Sequence, residues 1–313
     1  MIMNRTLHEA SFSRRLSRDL RKNWVVYLML LPVLVLFFLF NYLPMGGVLM
    51  AFENYKIRLG LWGSKWVGFE NFTRFFDSIY FGRLLRNTVS IGLKDILYSF
   101  PATIVFALLV NEVHNRYFKK TVQTISYLPY FISLVVVCGM VMDFTESGSS
   151  ISNFVALFSG KSESLLTNPS YFQEVFVLSN IWQSLGYGAI VYLAALSAID
   201  QELYEAARMD GANRWQQIWH ITLPGLASTC VIMLILKIGS FMNVNYQKII
   251  LLYSSATYET ADVITSYVYR VSLAKGSDYS FGAAVGLFNS VINLVFVIAT
   301  NYVSRRFTET SLW

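Results

Sequence analysis

The feature that most limits the fold of this chain is a series of long apolar segments. A membrane-spanning helix needs about 20 largely apolar residues, because the hydrocarbon core of a bilayer is about 30 Å thick. Six segments meet this requirement, and the first could extend to residue 52. The predicted spans are 24–43, 84–110, 122–144, 175–199, 227–252 and 281–303. The fifth is the least regular, since Lys237, Asn243 and Lys248 interrupt it.

The composition agrees with a lipid-facing surface. Apolar residues make up 55% of the 313 residues and charged residues only 14%, whereas soluble domains contain about 25% charged residues. So few charges could hardly cover a water-facing surface. The net charge of +6 lies beside the apolar segments, which indicates a membrane-surface bias rather than nucleic-acid binding. We therefore predict an all-α integral membrane protein with six transmembrane helices.

The basic residues outside the spans orient the predicted helices. They cluster before the first span, between the second and third spans and after the last span: Arg5, Arg14, Arg15, Arg18, Arg21, Lys22; Arg116, Lys119, Lys120; Arg305, Arg306. The positive-inside rule places these segments, and so both termini, in the cytoplasm. The first external loop, 53–83, is an exception to this rule because it contains five basic residues. It is long enough for its charge to have little influence on the orientation.

The chain is predicted to form one domain, since no internal repeat or low-complexity linker is visible. A basic cytoplasmic segment, 1–23, precedes the six-helix domain, 24–303, and a short cytoplasmic tail, 304–313, follows it. The domain includes one long internal loop, 200–224.

The 200–224 loop is too polar to span a membrane, and its pattern predicts two short helices. Asp200 is a good N-cap for a helix over 201–209, and Gly211 can adopt the left-handed conformation that ends a helix. A second helix is predicted over 214–222, ended by Pro224. A short helix with Trp and Ile side chains either lies in the membrane interface, fills a groove on a partner protein or is an ordinary surface loop.

The same loop resembles the docking motif of the membrane subunits of ABC importers. That motif reads Glu-Ala-Ala, two residues, Asp-Gly-Ala, and then a run ending Ile-x-Leu-Pro. The matching residues are Glu205, Ala206, Ala207, Asp210, Gly211, Ala212, Ile221, Leu223 and Pro224. The Asp-Gly-Ala form is similar to the carbohydrate-importing branch.

Further segments resemble the LplB-like permeases, a group associated with uptake of complex oligosaccharides and polysaccharides. They are 111–112, 122–129, 192–197, 199–200, 261–263, 267–270 and the closing Trp313. Tyr130 departs from the pattern, in which His follows the Leu-Pro pair.

The resemblance implies a type I ABC importer permease fold in a bacterial cell membrane, as a multi-pass protein. It also implies four kinds of partner: a second homologous permease that completes a heterodimer, two ATPase subunits, an extracytoplasmic solute-binding protein and the lipid bilayer. The chain itself would hold no cofactor, since ATP and Mg are bound by the ATPase. The residues implied to couple to the ATPase are the nine motif residues with Trp215, Ile218 and Trp219.

Polar residues inside spans are candidates for a substrate pathway, because they are costly in lipid. In the fourth span Asn180, Gln183, Ser184 and Tyr187 share one helical face. The other spans contribute Asp95, Tyr98, Ser99, Lys237, Ser240, Asn243, Gln247, Asn289 and Asn293. Such a polar and aromatic stripe suits sugar hydroxyls and ring faces. The alternative role is hydrogen bonding between helices.

No catalytic or metal-binding constellation is visible, so we expect no catalysis by this chain. Residues 159–162 resemble the end of a phosphate-binding loop, but Val155 stands where its first glycine should be. His8, His114 and His220 are scattered. Two other functions stay open: an ABC permease for a glycerophosphodiester or peptide, and, less in keeping with the absence of repeats, an ion-coupled secondary transporter.

Overall fold

A computed structural model of the chain describes residues 19–160, 164–274 and 278–307. Helices dominate these residues, as lipid requires, because a helix pairs its backbone N–H and C=O groups within one segment. The helices are α1 (Trp24–Phe52), α2 (Gly60–Gly63), α3 (Glu70–Phe76), α4 (Phe81–Glu112), α5 (Arg116–Tyr127), α6 (Leu134–Thr145), α7 (Ser150–Ser159), α8 (Pro169–Ser197), α9 (Gln201–Met209), α10 (Arg214–Gly239), α11 (Tyr246–Leu252), α12 (Tyr258–Ala261), α13 (Ile264–Val268) and α14 (Tyr279–Phe307). Two short antiparallel strands, β1 (Glu53–Asn54) and β2 (Lys65–Trp66), pair Glu53 with Trp66.

Four of the described helices, α1, α4, α10 and α14, are each long and apolar enough to cross a membrane. Two further pairs meet the same criterion only when each bent pair is taken together, α5 with α6 and α8 with α9. The described residues therefore contain four to six apolar spans. Helix α1 reaches Phe52, which confirms the longer form of the first predicted span, and no residue from Trp24 to Met45 is buried.

The prediction of one continuous helix over 122–144 is wrong. Helix α5 leads through a tight turn, Leu128–Phe131, into α6, and the two helix axes differ by 102°. Pro129 offers no backbone N–H to extend α5. Ser133 then caps α6, because its side chain accepts a hydrogen bond from the backbone N–H of Val136.

The prediction of one helix over 227–252 is also wrong. Helix α10 ends at Gly239, and a new cap at Asn245 begins α11 by accepting a hydrogen bond from the Lys248 N–H at 3.1 Å. Between these two helices the Met242 N–H donates to Oδ1 of Asn293 at 3.0 Å, 51 positions away. A side chain from α14 thus replaces the helical hydrogen bond at this break.

Pro224 does not end the second helix of the 200–224 loop, contrary to the prediction. Helix α10 begins at Arg214 and continues through Pro224. The turn before it, Ile218–Thr222, is π-helical, and the Leu223 N–H bonds to the carbonyl of Ile218. This wider turn already shifts the hydrogen-bond register, so the missing N–H of Pro224 breaks no regular ladder.

The packing of the described helices centres on α8, which contacts α4 along its length and also contacts α5 and α10. Gly186 of α8 lies directly on the backbone of Ser126 in α5, where an added Cβ would overlap the Ser126 carbonyl. Buried apolar side chains of α4, α6, α8 and α11 form one core, including Ile91, Val137 and Phe176. This arrangement places the polar face of α8 beside α4 and the break after α10.

Candidate functional site

The first helix of the 200–224 loop, α9, is closed at both ends by local hydrogen bonds. The Asp200 carboxylate accepts from the Glu202 N–H at 3.0 Å, which confirms the predicted N-cap. Gly211 has a φ of +79°, which confirms the predicted left-handed residue. The Ala212 N–H bonds to Ala207 O at 2.9 Å and the Gly211 N–H bonds to Arg208 O at 3.1 Å. This paired closure is a Schellman motif, which fixes the angle between α9 and α10.

The start of α10 is equally well fixed. Asn213 and Gln216 form a capping box, in which each side chain accepts from the other residue's backbone N–H, at 3.0 and 2.7 Å. The hydroxyl groups of Tyr204 and Thr222 lie 3.0 Å apart and tie α9 to α10. The loop is therefore a rigid projection rather than a flexible connection.

The loop presents an unusual number of apolar side chains to its surroundings. Trp215 is 74% exposed, Trp219 is 65% exposed and Met209 is 88% exposed. Of the other predicted coupling residues, Glu205, Ala206, Asp210, Gly211 and Pro224 are exposed, and Ala207, Ala212, Ile218, Ile221 and Leu223 are half-buried. Exposed aromatic side chains on a rigid support are typical of an interaction surface.

The end of α4 and the residues after it contact this loop. Arg214 at the start of α10 donates to the Glu112 carboxylate at 2.8 Å, and its other terminal nitrogen lies 3.0 Å from Nε2 of His114. Glu112 ends α4, and the basic residues Arg116, Lys119 and Lys120 follow in α5. The two segments predicted to be cytoplasmic therefore lie together, at the same end of the helices.

A polar cavity of about 500 Å³ opens between α4, α8 and the segment after α10. It is lined by Asp95, Ser99, Tyr130, Ile132, Leu134, Asn180, Gln183, Ser184, Lys237, Asn245 and Gln247. A neighbouring cavity of about 290 Å³ shares Asp95, Asn180, Lys237 and Asn245, and also includes Asn243. Nine of the predicted pathway residues thus lie around the two cavities.

Two lysines place charge in and beside the cavity wall. The Lys237 ammonium is 3.0 Å from the Asp95 carboxylate and donates to the Ser99 hydroxyl at 2.6 Å. The Lys248 ammonium donates to Oδ1 of Asn180 at 2.8 Å. These contacts connect α4, α8, α10 and α11 across the break at Gly239.

Four predicted pathway residues do not line either cavity. Tyr98 is 60% exposed on the outer face of α4. Asn289 and Asn293 instead support the break after α10: Asn289 donates to Asn243 at 2.8 Å, and Asn293 accepts from Met242. For these two asparagines the structure favours the alternative role of hydrogen bonding between helices.

Tyr187, the fourth of these residues, lies at the edge of the cavity. Its ring stacks on that of Tyr130, with ring centres 3.8 Å apart and planes within 3° of parallel. Tyr130 does line the cavity, and it is the position at which the sequence departs from the LplB-like pattern.

The prediction omitted four residues that line the larger cavity, namely Tyr130, Ile132, Leu134 and Asn245. The signal that marks Asn245 was visible in the sequence beside the predicted Lys237 and Gln247. Lys237, Asn245 and Gln247 are polar interruptions of the fifth apolar segment, and such interruptions indicate a helix that is broken to line a cavity.

Other possible sites in the described residues are not assembled. Within residues 19–160, 164–274 and 278–307, no group of three or more His, Cys, Asp or Glu side chains could hold a metal ion. Gly160, part of the segment that resembles a phosphate-binding loop, has a φ of +71° and ends α7 as an ordinary C-cap. Residues 161–162 and His8 lie outside the described residues.

Comparison with known proteins identifies relatives along nearly the whole chain. The sequence model of a family described as binding-protein-dependent transport system inner membrane components matches residues 99–309. Protein LplB of Bacillus subtilis (strain 168) is 42% identical over 94% of this chain and 92% of that protein. The polygalacturonan/rhamnogalacturonan transport system permease protein YteP of the same organism is 39% identical over 96% of this chain and 94% of that protein.

A solved structure also has the same fold as this chain. In the crystal structure of a bacterial alginate ABC transporter in complex with an alginate pentasaccharide-bound periplasmic protein, one chain is 40% identical to this one. The two superpose with a TM-score of 0.86, and the match covers 95% of this chain and 100% of that chain.

Proposed function

Because this chain belongs to the family of binding-protein-dependent transport system inner membrane components, as a carbohydrate-uptake ABC permease of the LplB type, we propose that it forms half of a translocation pathway for an oligosaccharide or polysaccharide. It is a transport subunit and not itself an enzyme. The relatives named for polygalacturonan, rhamnogalacturonan and alginate support the class of cargo. They favour a sugar over a glycerophosphodiester or a peptide.

The observation that carries the proposal is the rigid 200–224 loop with its exposed Trp215 and Trp219. Residues 205–224 dock in a groove of a cytoplasmic ATPase, with Gly211 permitting the tight turn between α9 and α10. Since α10 runs without interruption from Arg214 to Gly239, a displacement of the docked loop moves the far end of that helix. ATPase closure is thereby converted into a tilt of the helices around the cavity.

In this proposal the two cavities form this subunit's part of the pathway. Their amide, hydroxyl and tyrosyl groups suit sugar hydroxyls, and the stacked Tyr130 and Tyr187 rings offer an aromatic surface to a sugar ring. The lining residues converge at the break after Gly239. This location lets a tilt of α10 change the shape of the cavity directly.

We also propose six spans with both termini in the cytoplasm: the four long helices, the bent pair of α5 and α6, and α8, with α9 left in the coupling loop. The domain boundaries are then 1–23, 24–303 and 304–313, with the coupling loop at 200–224. The contact of Arg214 with Glu112 supports this topology, because it joins the two segments that the positive-inside rule places in the cytoplasm. Labelling of single cysteines introduced at exposed positions, such as Lys120 and Trp62, tests it: Lys120→Cys should react only from inside and Trp62→Cys only from outside.

The remaining partners follow from the family. A second permease completes the pathway as a heterodimer, two ATPase subunits bind ATP and Mg, and an extracytoplasmic solute-binding protein delivers the cargo. The solved complex with a periplasmic protein supports the last of these. We propose that the complex lies in a bacterial cell membrane.

Reconstitution of the whole complex in proteoliposomes tests the proposal. Uptake of an oligosaccharide should require the solute-binding protein, the ATPase and ATP inside the vesicle. Uptake that continues without ATP or without the ATPase, driven by an ion gradient, would instead identify a secondary transporter.

A further inference from the structure

Lys248 is a buried cation without a carboxylate partner. Its side chain has no solvent exposure, and its Nζ lies 5.7 Å from the centre of the Phe176 ring. None of the ion pairs between described residues includes Lys248. The other lysine of this region, Lys237, is neutralised by Asp95 at 3.0 Å. Since two lysines share the single carboxylate of Asp95, the ammonium of Lys248 adds net positive potential beside the cavity.

The contact between Lys248 and Asn180 also decides which way the asparagine amide points. An ammonium has only donors, so the group that faces it must be the amide oxygen, and this oxygen lies 2.8 Å away. The amide nitrogen is left at the free end of a residue that lines both cavities. Within the part of the chain that the structure describes, no hydrogen bond of this nitrogen is found. Lys248 thus holds the two N–H groups of Asn180 available to a ligand.

We propose that Lys248 and Asn180 together select cargo that carries carboxylates, that is, oligosaccharides of uronic acids. Asn180 donates its amide N–H groups to a carboxylate oxygen, and Lys248, which does not touch the cargo, orients that amide and supplies the positive potential. An isolated buried cation is unfavourable, and an arriving anion relieves this cost. A neutral sugar can accept the same hydrogen bonds but does not relieve it. This inference rests on the proposed function, since it takes the cavity to be part of a sugar pathway.

The relatives do not by themselves assign this role. YteP is named for polygalacturonan and rhamnogalacturonan and the solved transporter for alginate, but neither name says which permease side chains select the cargo. The inference concerns two named side chains of this permease, and it is tested where the solute-binding protein cannot contribute.

The experiment measures direct binding to the purified complex of both permeases and the ATPase in lipid nanodiscs, without the solute-binding protein. Trigalacturonic acid is compared by calorimetry with its neutral counterpart, galactotriose, and with a phosphorylated sugar. The wild-type complex should bind trigalacturonic acid at least tenfold more tightly than galactotriose. A preference for the phosphorylated sugar over the uronate would assign the site to phosphate and overturn the proposal.

Two substitutions separate the roles of the two residues. Lys248→Met should reduce the preference for trigalacturonic acid over galactotriose to less than about twofold, and Lys248→Arg should restore much of that preference. Asn180→Asp can pair with Lys248 as an ion pair, so the packing is retained, but it replaces amide donors by acceptors. This variant should bind trigalacturonic acid no more tightly than galactotriose.

Lys94→Gln is the matched control. It removes a lysine charge from α4, but Lys94 is paired with Glu174 and lines neither cavity. The Lys94→Gln complex should prefer trigalacturonic acid over galactotriose to the same extent as the wild type. Equal binding of both sugars by the wild type, or an unchanged preference in Lys248→Met, would refute the inference alone, provided that ATP-driven sugar uptake persists. If the wild-type complex neither binds nor takes up any sugar, the proposed function is refuted as well.

Discussion

The Arg270 guanidinium lies 2.6 Å from the Asp262 carboxylate, which has no solvent exposure. The contact is bidentate, and Arg83 of α4 approaches the same carboxylate at 3.5 Å. Burial alone would lower the pKa of Arg270, but its hydrogen bonds to Asp262 hold that pKa above its usual value. The pair lies in the segments 261–263 and 267–270 that resemble the LplB-like permeases, and it joins the region before α14 to α4.

Replacing Asp262 by Ala should strongly destabilise this region. The substitution leaves the largely buried Arg270 guanidinium without a counter-charge and leaves Arg83 only its contact with Glu259 at 3.9 Å. Breaking a buried ion pair in this way costs about 3–5 kcal/mol. Thermal unfolding of the purified complex should show a clear fall in the midpoint temperature. Glu174→Ala removes a more exposed ion pair with Lys94 and should cost less than about 1 kcal/mol. An equal fall in midpoint temperature for the two variants would mean that the buried Asp262 pair stabilises the protein no more than the exposed pair does.

Replacing Gly211 by Val should separate ATP hydrolysis from transport or prevent binding of the ATPase. A β-branched residue at a φ of +79° is strained by about 1–3 kcal/mol and distorts the Schellman motif. ATP-driven uptake should fall at least tenfold, while insertion of the chain into the membrane is unaffected. Gly139→Val in α6 is the control, because an added Cβ there meets no atom within 4 Å. Normal uptake with normal ATPase stimulation in Gly211→Val would contradict the proposed role of the loop.

Replacing Trp215 and Trp219 by Ala should weaken the association with the ATPase. The two side chains are 74% and 65% exposed, so their removal costs little folding energy, whereas buried aromatic anchors at an interface are each worth about 2 kcal/mol or more. Co-purification of the ATPase with the permease should fall at least tenfold. Trp62→Ala, on the β1–β2 connection and 94% exposed, should retain the ATPase fully. A similar loss in the Trp62 variant would point to a general effect on folding.

Replacing Gly186 by Ala should loosen the contact between α8 and α5. The added methyl group would overlap the Ser126 backbone, and overpacking of this kind costs about 1–3 kcal/mol. Thermal unfolding of the complex should report the loss. The same substitution at Gly139 has open space and should be neutral or stabilising by up to about 1 kcal/mol, since Ala favours a helix. Equal stability of the Gly186→Ala and Gly139→Ala variants would contradict the close contact between α8 and α5.

Local rules predicted the docking loop well. The Asp200 cap and the left-handed Gly211 depend on a few neighbouring residues, and both are found as expected. The end assigned to the second helix failed at Pro224, because a π-helical turn at Ile218–Thr222 carries the helix through the proline. A proline therefore marks a helix end reliably only when the preceding turn is regular.

The sequence by itself determined the class of the protein, its apolar segments and the conformation of the 200–224 loop. These features depend on segment length, composition and contacts a few residues apart. Only the tertiary structure decided where the third and fifth apolar segments break and which polar residues meet. The contacts of Lys237 with Asp95 and of Lys248 with Asn180 join residues 142 and 68 positions apart. No local pattern encodes such a pairing, because it depends on how α4, α8 and α10 pack against one another.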